Sequence, residues 1–545
     1  MTVNERTPLL REGNDALETD EPTVADRLSS DPEWVDTEDD INVAKHPQVS
    51  MLTIMAPLSI GIFLSALDWM IVASSYAAIG SELDALQSTS WIATAYMLTT
   101  TSFQPLYGKL SDIFGRKACL IFAYTTFAIG CLLCGMARNI TELIAARAFA
   151  GIGGGGITTV GSIIMSDVAP LRERGTWQGI ANLFFATGQT VGAPLGGLLA
   201  DTIGWRWAFL LQVPVTVLAI VSVAFALKLP KSDNSDFYGK LKRVDFLGAF
   251  TLVLAVFTLL LGLERGGNVS WNDRITCGCL IAFAVLFFSF LFIEMEFAKE
   301  PFAPKHILVN RTLIASYMCN FLSMASQMAY VYQASLYFQA VEGKTAGQAG
   351  LLFIPGVVAA VSGSLGGGLI MQATGKYYTL TLSCYVLGFI GAVVATLATD
   401  IWFHSDVVMV IGLSAAALGN GAGITTTLIS LIANAGPEDQ AVATAVSYLF
   451  RSLGTVIGIS VVSTATQETL RRQLRSKLSG NDDVEEIISH VRKSLAYLDE
   501  LAPAIRAKVV ESYEDAVHVA FWICVGLYGA CVVSSLFIKE KALQK

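Results

Sequence analysis

The stretch GKLSDIFGRK, residues 108–117, joins an apolar segment that ends near residue 108 to one that begins near residue 117. Its glycines, Gly108 and Gly115, permit a tight turn and a close approach of two helices. Asp112 and Arg116 can bridge neighbouring helix ends through charge and helix dipoles. The stretch predicts a structured connection between two membrane-spanning helices, and the alternative is an ordinary basic loop on the cytosolic side.

The composition is that of a membrane protein. Of 545 residues, 53% are apolar and only 15% are charged, and the mean hydropathy is +0.56. Apolar runs long enough to cross a bilayer recur from about residue 51 to residue 537. We therefore predict an all-α polytopic membrane protein with about fourteen transmembrane helices. The nine cysteines lie mostly in apolar stretches, where a disulfide framework is not expected.

The distribution of basic residues predicts the orientation of these helices. With a cytosolic N-terminus, the inner loops and tail carry seventeen Lys and Arg residues, whereas the short outer loops carry five. Short loops with excess positive charge remain in the cytosol. Both termini are therefore expected to be cytosolic.

The chain divides at changes in composition. Acidic residues accumulate in the first 45 positions, which predicts disorder, and no signal-peptide pattern precedes them. An echo of the first motif, Gly368-x6-Gly375-Lys376, has Gln372 where Asp112 stands and suggests two related halves. The predicted segments are an acidic cytosolic tail (1–50), a six-helix bundle (51–229), two inserted helices with linkers (230–311), a second six-helix bundle (312–538) and a cytosolic tail (539–545).

The outer loop 467–518 departs from the charge rule because it carries eight basic residues. Long loops cross the membrane with less regard to charge. Apolar residues recur at helical spacing in VEEIISHVRKSLAYLDELAPAIRAKVV, which predicts an amphipathic helix over the outer face.

Several motifs resemble those of the major facilitator superfamily. The stretch 108–117 resembles its signature loop, and Arg147 and Gly151 in LIAARAFAGIGGGG resemble its fourth-helix motif. A third motif, Gly188-x-x-x-Gly192-Ala-Pro194-x-Gly196-Gly197, resembles the fifth-helix motif of antiporters. The resemblance implies the major facilitator fold, two six-helix bundles plus two inserted helices. It also implies a gating role for the signature loop, at Gly108, Asp112, Gly115, Arg116 and Lys117.

Other stretches resemble the fourteen-helix drug:proton antiporter branch of this superfamily. These are LDWMIVASSYAAI around Asp68, WRWAF at 205–209, VDFLG at 244–248, YFQAVEGKTAGQAGLLFIP at 337–355 and FRSLGTVIG at 450–458. Three positions depart from the usual pattern, where Met70 replaces Thr, Ala78 replaces Pro and Gln212 replaces Asn. The branch exchanges protons for substrate, so the expected energy source is the proton gradient, with no cofactor.

Three charged residues stand out inside the predicted spans, where a charge costs roughly 2.5–3.5 kcal/mol. Asp68 can exchange a proton for a cationic substrate or hold its ammonium group, and the alternative is a structural carboxylate paired with a neighbouring helix. Arg147 can orient a carboxylate or act on Asp68, or it can lock helices through backbone carbonyls. Arg451 is interpreted mainly as structural.

Polar residues in the spans could line a substrate cavity or simply pack helices together. The candidates are Tyr96, Asn182, Gln189, Asn320, Gln327, Tyr330 and, with its charge, Arg451. The glycine run 153–156 lacks the Gly-Lys-Ser/Thr of a phosphate loop and favours close helix packing. The histidines lie apart, so neither a metal site nor catalysis is expected, and the chain is interpreted as a transporter and not an enzyme.

The N-terminal tail predicts a destination. Glu5, Leu9 and Leu10 resemble the acidic dileucine signal that adaptor complexes bind, and Asn268 begins a glycosylation sequon in an outer loop. Together with the antiporter motifs, this resembles the fungal vacuolar basic amino acid transporters, which exchange protons for cationic amino acids. The predicted location is the vacuolar membrane. The alternatives are a plasma-membrane multidrug:proton exporter and a non-transporting sensor, and no nucleic-acid partner is expected.

Overall fold

A computed structural model describes most of the chain. The described residues are 51–83, 90–227, 244–268, 271–296, 310–344, 346–399, 405–436, 438–478 and 501–541, together with residues 487, 491 and 498. The regular structure within these ranges is helical. The predicted N-terminal tail, 1–50, and residues 542–545 of the predicted C-terminal tail lie outside the described residues.

Six helices form the N-terminal bundle. They are α1 (Met51–Glu82), α2 (Ser90–Phe114), α3 (Arg116–Met136), α4 (Ile140–Val168), α5 (Arg174–Thr202) and α6, which runs as Trp205–Leu210 and Gln212–Ala226. Two further helices follow, α7 (Phe246–Asn268) and α8 (Arg274–Glu296).

Six helices form the C-terminal bundle. They are α9 (Arg311–Ala340), α10, which runs as Ala346–Leu352 and Ile354–Thr374, α11 (Tyr378–Leu397), α12 (Asp406–Ala435), α13 (Gln440–Lys477) and α14 (Pro503–Ser535). The order of elements is the one expected for two six-helix bundles separated by two helices.

Twelve of the described helices are long and apolar enough to cross a membrane. Helices α2 and α9 have 25 and 30 residues and are also long enough, but they carry more Ser, Thr, Gln and Tyr. Many of these polar residues are buried between helices. With α2 and α9 the described helices of membrane-spanning length number fourteen, as the sequence predicts.

The two inserted helices pack at the seam between the bundles. Apolar residues of α7, including Leu252, Val256 and Leu260, contact Leu98 and Leu106 of α2 and the α13 residues around Leu449. Helix α8 packs on α7 and leaves a row of large apolar side chains exposed, as lipid-facing helices do. That row comprises Ile275, Ile281, Val285, Phe288 and Phe292.

Local sequence fixes where α3 and α4 begin. Gly115 has a φ of 93°, a left-handed value that favours glycine, and α3 starts at the next residue. The side chain of Asn139 accepts a hydrogen bond from the backbone N–H of Glu142 and caps α4. This cap sets α4 so that Arg147 lies two turns inside the helix.

The outer loop differs from its sequence-based expectation. Helix α13 continues to Lys477 and α14 begins at Pro503, so residues 467–477 and 503–518 of the predicted loop lengthen the two spans. Of the predicted amphipathic helix, residues 503–510 belong to α14. The cause is apolar pairing, because Leu470 and Leu474 pack against Val509 and Tyr513. The central part of the predicted amphipathic helix lies mostly outside the described residues.

Candidate transport site and gate

A buried ion pair occupies the middle of the N-terminal bundle. The Arg147 guanidinium on α4 donates to the Asp68 carboxylate on α1 at 2.6 Å, and both side chains are 0% exposed. Gln212 at the start of the second segment of α6 donates to the other Asp68 oxygen at 3.3 Å. Asp68 and Arg147, the two charged residues predicted in this half, are therefore brought together.

The rest of the Arg147 guanidinium is only partly satisfied. Its Nε donates to the Ile92 carbonyl at 3.3 Å, and its central carbon lies 4.3 Å from the centre of the Tyr96 ring. Its Nη2 and the side-chain oxygen of Gln212 have no hydrogen-bond partner. The pair thus sits in a polar cluster with spare donor and acceptor capacity, which a change of protonation state can use.

Glycines hold the helix that carries Asp68 against α5. A Cβ at Gly192 would lie 2.8 Å from the Leu67 carbonyl oxygen, and one at Gly196 would lie 2.9 Å from the Ile71 backbone. A Cβ at Gly188 would likewise be too close to the Phe63 carbonyl oxygen. These glycines of the antiporter motif therefore set the position of the α1 backbone on both sides of Asp68.

The remaining motif positions and the α4 glycine run have different surroundings. Gly197 has open space around it and Pro194 is exposed. The run 153–156 lies inside α4, where a Cβ at Gly153 would lie 2.5 Å from the Ala123 carbonyl and one at Gly155 would lie 2.7 Å from the Thr100 carbonyl. The run therefore packs α4 between α2 and α3.

The signature loop forms a charged cluster at the end predicted to face the cytosol. Arg116 contacts Asp112 at 2.5 Å and Asp167, near the end of α4, at 2.8 Å. Lys117 donates to the Ala224 carbonyl of α6 at 2.6 Å. The loop thus ties α2, α3, α4 and α6 together.

Hydrogen bonds extend this cluster into the C-terminal bundle. Gln440 at the start of α13 donates to Asp167 at 2.8 Å and accepts from Arg174 at 2.9 Å. A Cβ at Gly108 would lie 2.8 Å from the Ala445 Cβ, so α2 and α13 are in close contact beside the cluster. Charge and packing together close the two halves at this end.

A second contact between the halves joins α5 to α10. Thr176 donates to the Gln372 side chain at 2.8 Å, and Arg172 donates to the Gln372 backbone carbonyl. Gly175 and Gly368 pack backbone to backbone. Gln372, the residue of the faint motif echo, therefore binds the opposite half in this structure.

The predicted cavity residues of the C-terminal bundle have partners within that bundle. Asn320 bonds to Ser447 and Thr427, and the Tyr528 hydroxyl donates to Gln327 at 2.6 Å. Tyr330 bonds to Thr396 and stacks on Phe521 with ring centres 4.5 Å apart. In this conformation the three predicted cavity residues join α9 to its neighbours.

The predicted residues of α5 lie nearer the other half. Asn182 donates to Ser364 of α10 at 2.6 Å, and Gln189 is partly buried one residue after Gly188. Asn182 thus belongs to the interface between the bundles.

Arg451 has a different environment from Arg147. Its Nη2 donates to the Ile424 carbonyl of α12 at 3.2 Å, and its guanidinium lies 5.0 Å from the Tyr448 ring centre. Among the described residues no carboxylate lies within salt-bridge distance of it, and its Nε has no partner. In the part of the chain that the structure describes, Arg451 is therefore a buried cation without a counter-charge.

Sequence reasoning missed three residues of these clusters. Asp167 and Gln440 complete the charged cluster, and Asn420 of α12 has a buried side-chain oxygen without a partner. An acid at the end of α4 predicted to face the cytosol, level with Arg116, is a signal that could have identified Asp167. The other two are neutral amides that look like ordinary polar residues in sequence.

Two predicted sites lie outside the part of the chain whose side chains the structure describes. Glu5, Leu9 and Leu10 of the sorting signal fall outside the described residues. Asn268 is the last residue of α7, and its side chain and the rest of the sequon are likewise outside them.

The chain is similar to known transporters over most of its length. The chain is 40% identical over 496 residues to the vacuolar membrane amino acid uptake transporter fnx2 of Schizosaccharomyces pombe, covering 91% of this chain and 85% of that protein. It is 38% identical over 494 residues to the multidrug resistance protein fnx1 of the same organism, covering 90% and 93%.

A third relative comes from budding yeast. The vacuolar basic amino acid transporter 2 of Saccharomyces cerevisiae is 33% identical over 445 residues, covering 78% of this chain and 93% of that protein. The sequence model of the Major Facilitator Superfamily matches residues 58–459, which run from α1 through the two inserted helices into α13. The chain is therefore a member of the major facilitator superfamily and a membrane transporter.

Proposed function

We propose that this transporter imports basic amino acids into the vacuole in exchange for protons. The Asp68–Arg147 pair carries the proton-coupling part of the proposal, since both charges are fully buried and in direct contact. Among the described residues, Asp68 is the only acidic residue that is buried. A carboxylate in such a position is where a bound proton has the largest effect on the surrounding helices.

The exchange follows from competition for the Asp68 carboxylate. When Asp68 is ionised, it pairs with Arg147 and Gln212 and holds α1, α4 and α6 together. When Asp68 takes a proton, Arg147 becomes an uncompensated buried cation, which is costly. Proton binding and substrate binding therefore favour different arrangements of the N-terminal bundle.

Alternating access converts this local change into transport. The two bundles rock about a site near the bilayer midplane, and each arrangement opens to one side. The clusters at Arg116 and Gln372 hold the end predicted to be cytosolic closed. Their release would open that end to load substrate, and luminal protons would drive the return.

The relatives support the choice of substrate. Fnx2 is named as a vacuolar amino acid uptake transporter, and the Saccharomyces cerevisiae relative is named as a vacuolar basic amino acid transporter. A cationic substrate also suits a site that contains a buried acid, because ammonium and proton can replace each other there.

Replacing Asp68 with Asn tests the coupling role. We expect Asp68→Asn to abolish ATP-dependent uptake of labelled lysine into isolated vacuoles, because the neutral amide cannot exchange a proton. Uptake is normalised to the amount of protein in the vacuolar membrane. Asp273→Asn is the matched control, since Asp273 lies in an outer connection and pairs with Arg265. Undiminished lysine uptake by Asp68→Asn would refute the coupling role.

The second candidate is a multidrug exporter of the plasma membrane. The 38% identity to the multidrug resistance protein fnx1 favours it. Fluorescent tagging of the full chain and of Leu9→Ala/Leu10→Ala separates the two candidates. Vacuolar fluorescence that moves to the cell surface in the double variant supports vacuolar import. A surface location of the unaltered chain supports export.

A further inference from the structure

Two polar side chains of the C-terminal bundle each have one buried atom without a hydrogen-bond partner. Arg451 of α13 binds the Ile424 carbonyl of α12 and leaves its Nε unbonded. Asn420 lies four residues before Ile424, about 6 Å along the α12 axis, and leaves its side-chain oxygen unbonded. A buried cationic donor and a buried neutral acceptor therefore face the same part of the bundle.

The polar ends of these side chains have weak local contacts. The Asn420 amide group lies 3.9 Å from the Met324 sulfur of α9, and Arg451 otherwise rests beside the Tyr448 ring. Unpaired polar groups in a protein interior cost free energy unless a ligand or another state satisfies them. Arg451 can therefore donate a further hydrogen bond to an anionic group, and Asn420 can accept one from a donor group.

Access distinguishes this cluster from the ion pair of the other bundle. Arg451 retains 8% and Asn420 retains 6% of their surface exposed, whereas Asp68 and Arg147 retain none. The next residue, Ser452, donates to Gln104 of the N-terminal bundle at 3.0 Å. The cluster therefore lies beside the interface of the two halves, where a transported molecule passes.

We propose that Arg451 binds the α-carboxylate of a transported amino acid and that Asn420 accepts a hydrogen bond from its α-ammonium group. A guanidinium matches a carboxylate in charge and in fork geometry, and a side-chain amide oxygen matches an ammonium donor. This assignment rests on the proposed function and specifies its substrate as a free amino acid with both backbone groups unmodified. Drugs and simple polyamines lack that pair of groups.

The test measures preference for the carboxylate, not transport alone. Unlabelled lysine, lysinamide and cadaverine compete with labelled lysine for binding to the purified full-length protein. For the unaltered chain, lysine should compete at concentrations roughly ten- to hundredfold below lysinamide, since a hydrogen-bonded charge pair is lost in the amide. In Arg451→Gln, lysine should weaken to the level of lysinamide while lysinamide itself changes little.

Two further variants separate recognition from structure. Ser447 lies one turn before Arg451 on α13, and its fully buried hydroxyl accepts a hydrogen bond from Asn320. Ser447→Ala removes that hydroxyl and should leave the preference for lysine over lysinamide unchanged. Arg451→Lys retains the charge without the fork and should retain part of the preference. Asn420→Ala should reduce discrimination against Nα-acetyl-lysine.

The outcomes distinguish this inference from the function on which it rests. If Arg451→Gln and Arg451→Lys keep the preference of the unaltered chain, or weaken all three competitors equally, Arg451 only packs α13 on α12 and the inference fails. Lysine transport by the unaltered chain would still support the proposed function. If the unaltered chain neither binds nor transports lysine, the proposed function fails and the inference fails with it.

Discussion

Among the described residues each bundle buries one arginine, and the two arginines have different surroundings. Arg147 lies against Asp68 at 2.6 Å with both side chains fully enclosed. Arg451 is bound to a backbone carbonyl and a ring face, and the described part of the chain offers it no carboxylate. The N-terminal bundle therefore contains its own counter-charge, whereas the C-terminal bundle has an unneutralised cation.

This difference suggests a division of labour. A closed ion pair responds to a proton, because protonation of one member removes the interaction. A lone cation responds to an anion that arrives from outside. In the mechanism proposed above, proton response is assigned to α1 and α4, and recognition of a substrate carboxylate is assigned to α12 and α13. Both proposed events would act on the same rocking motion of the two bundles.

Removing each arginine in turn has the largest expected effect. Arg147→Leu leaves the Asp68 carboxylate buried without its partner, which should destabilise the protein by about 3–5 kcal/mol. Arg451→Leu leaves no charge behind, and substitution of a buried charge by an apolar residue is often nearly neutral. Thermal unfolding of the two purified variants should show a clear loss for Arg147→Leu and a small change for Arg451→Leu.

A double variant checks the cause of that loss. Asp68→Asn/Arg147→Leu removes both charges, so it should unfold at a higher temperature than Arg147→Leu alone. Equal losses for Arg147→Leu and Arg451→Leu would show that the carboxylate partner of Arg147 makes no difference to the effect of losing a buried arginine.

Glycine substitutions on α5 test how tightly the α1 backbone around Asp68 is held. A methyl group at Gly192 would meet the Leu67 carbonyl and the Met70 Cβ, each at 2.8 Å, so Gly192→Ala should cost about 1–3 kcal/mol. Gly197 lies in the same motif with open space around it, and Gly197→Ala should be neutral or stabilise by up to about 1 kcal/mol. Unfolding temperatures measured side by side give the comparison, and a larger loss for Gly197→Ala would contradict the packing.

The sequence predicts the fold well because membrane helices leave strong signals. Apolar runs and basic loops gave about fourteen helices, and the motif order gave the family, which its sequence model confirms. The charged residues Asp68 and Arg147 stood out because charge is rare in spans. The residues that complete the sites were not evident, because Asn420 and Gln440 are neutral and acquire meaning only from neighbours on distant helices.

The outer loop shows the limit of periodicity. The same helical spacing fits a helix lying on a membrane surface and a helix paired with another in water. The contacts of Leu470 and Leu474 with Val509 and Tyr513 decide for paired extensions, and they join positions more than thirty residues apart. The local sequence does not distinguish a helix whose apolar face lies on a membrane from one whose apolar face packs on a second helix.

The interface between the bundles provides an intermediate effect. Thr176 and Gln372 bond across it at 2.8 Å, so Thr176→Cys/Gln372→Cys should cross-link under mild oxidation in the conformation described. Adding Asp167→Asn weakens a partly exposed pair with Arg116 by about 0.5–1 kcal/mol, which should slow cross-linking about two- to fivefold. Gel mobility with and without reductant measures both, and faster cross-linking would show that Asp167 does not help to close this end.

The smallest effect concerns a paired cation in the bundle that carries Arg451. Lys344, between α9 and α10, lies 2.5 Å from Asp406 and 3.4 Å from Glu342. Burial lowers the pKa of Lys344, but these two contacts outweigh it and raise the pKa above its usual value. Because the folded pKa is raised, the contribution of Lys344 is complete below the unfolded value of about 10.4 and disappears only as pH rises through the folded value.

Lys344→Met should therefore lower stability by less than about 1 kcal/mol, as for other partly exposed pairs. The difference from the unaltered chain, measured by thermal unfolding, should be the same at pH 7 and pH 9 and should diminish only in stronger alkali. A loss as large as that of Arg147→Leu would show that pairing alone, without burial, makes a cation important in this protein. The small loss expected for Lys344→Met would show that Arg147 contributes more to stability because it is enclosed with Asp68. Arg451 differs from both cations because the described residues offer it no carboxylate.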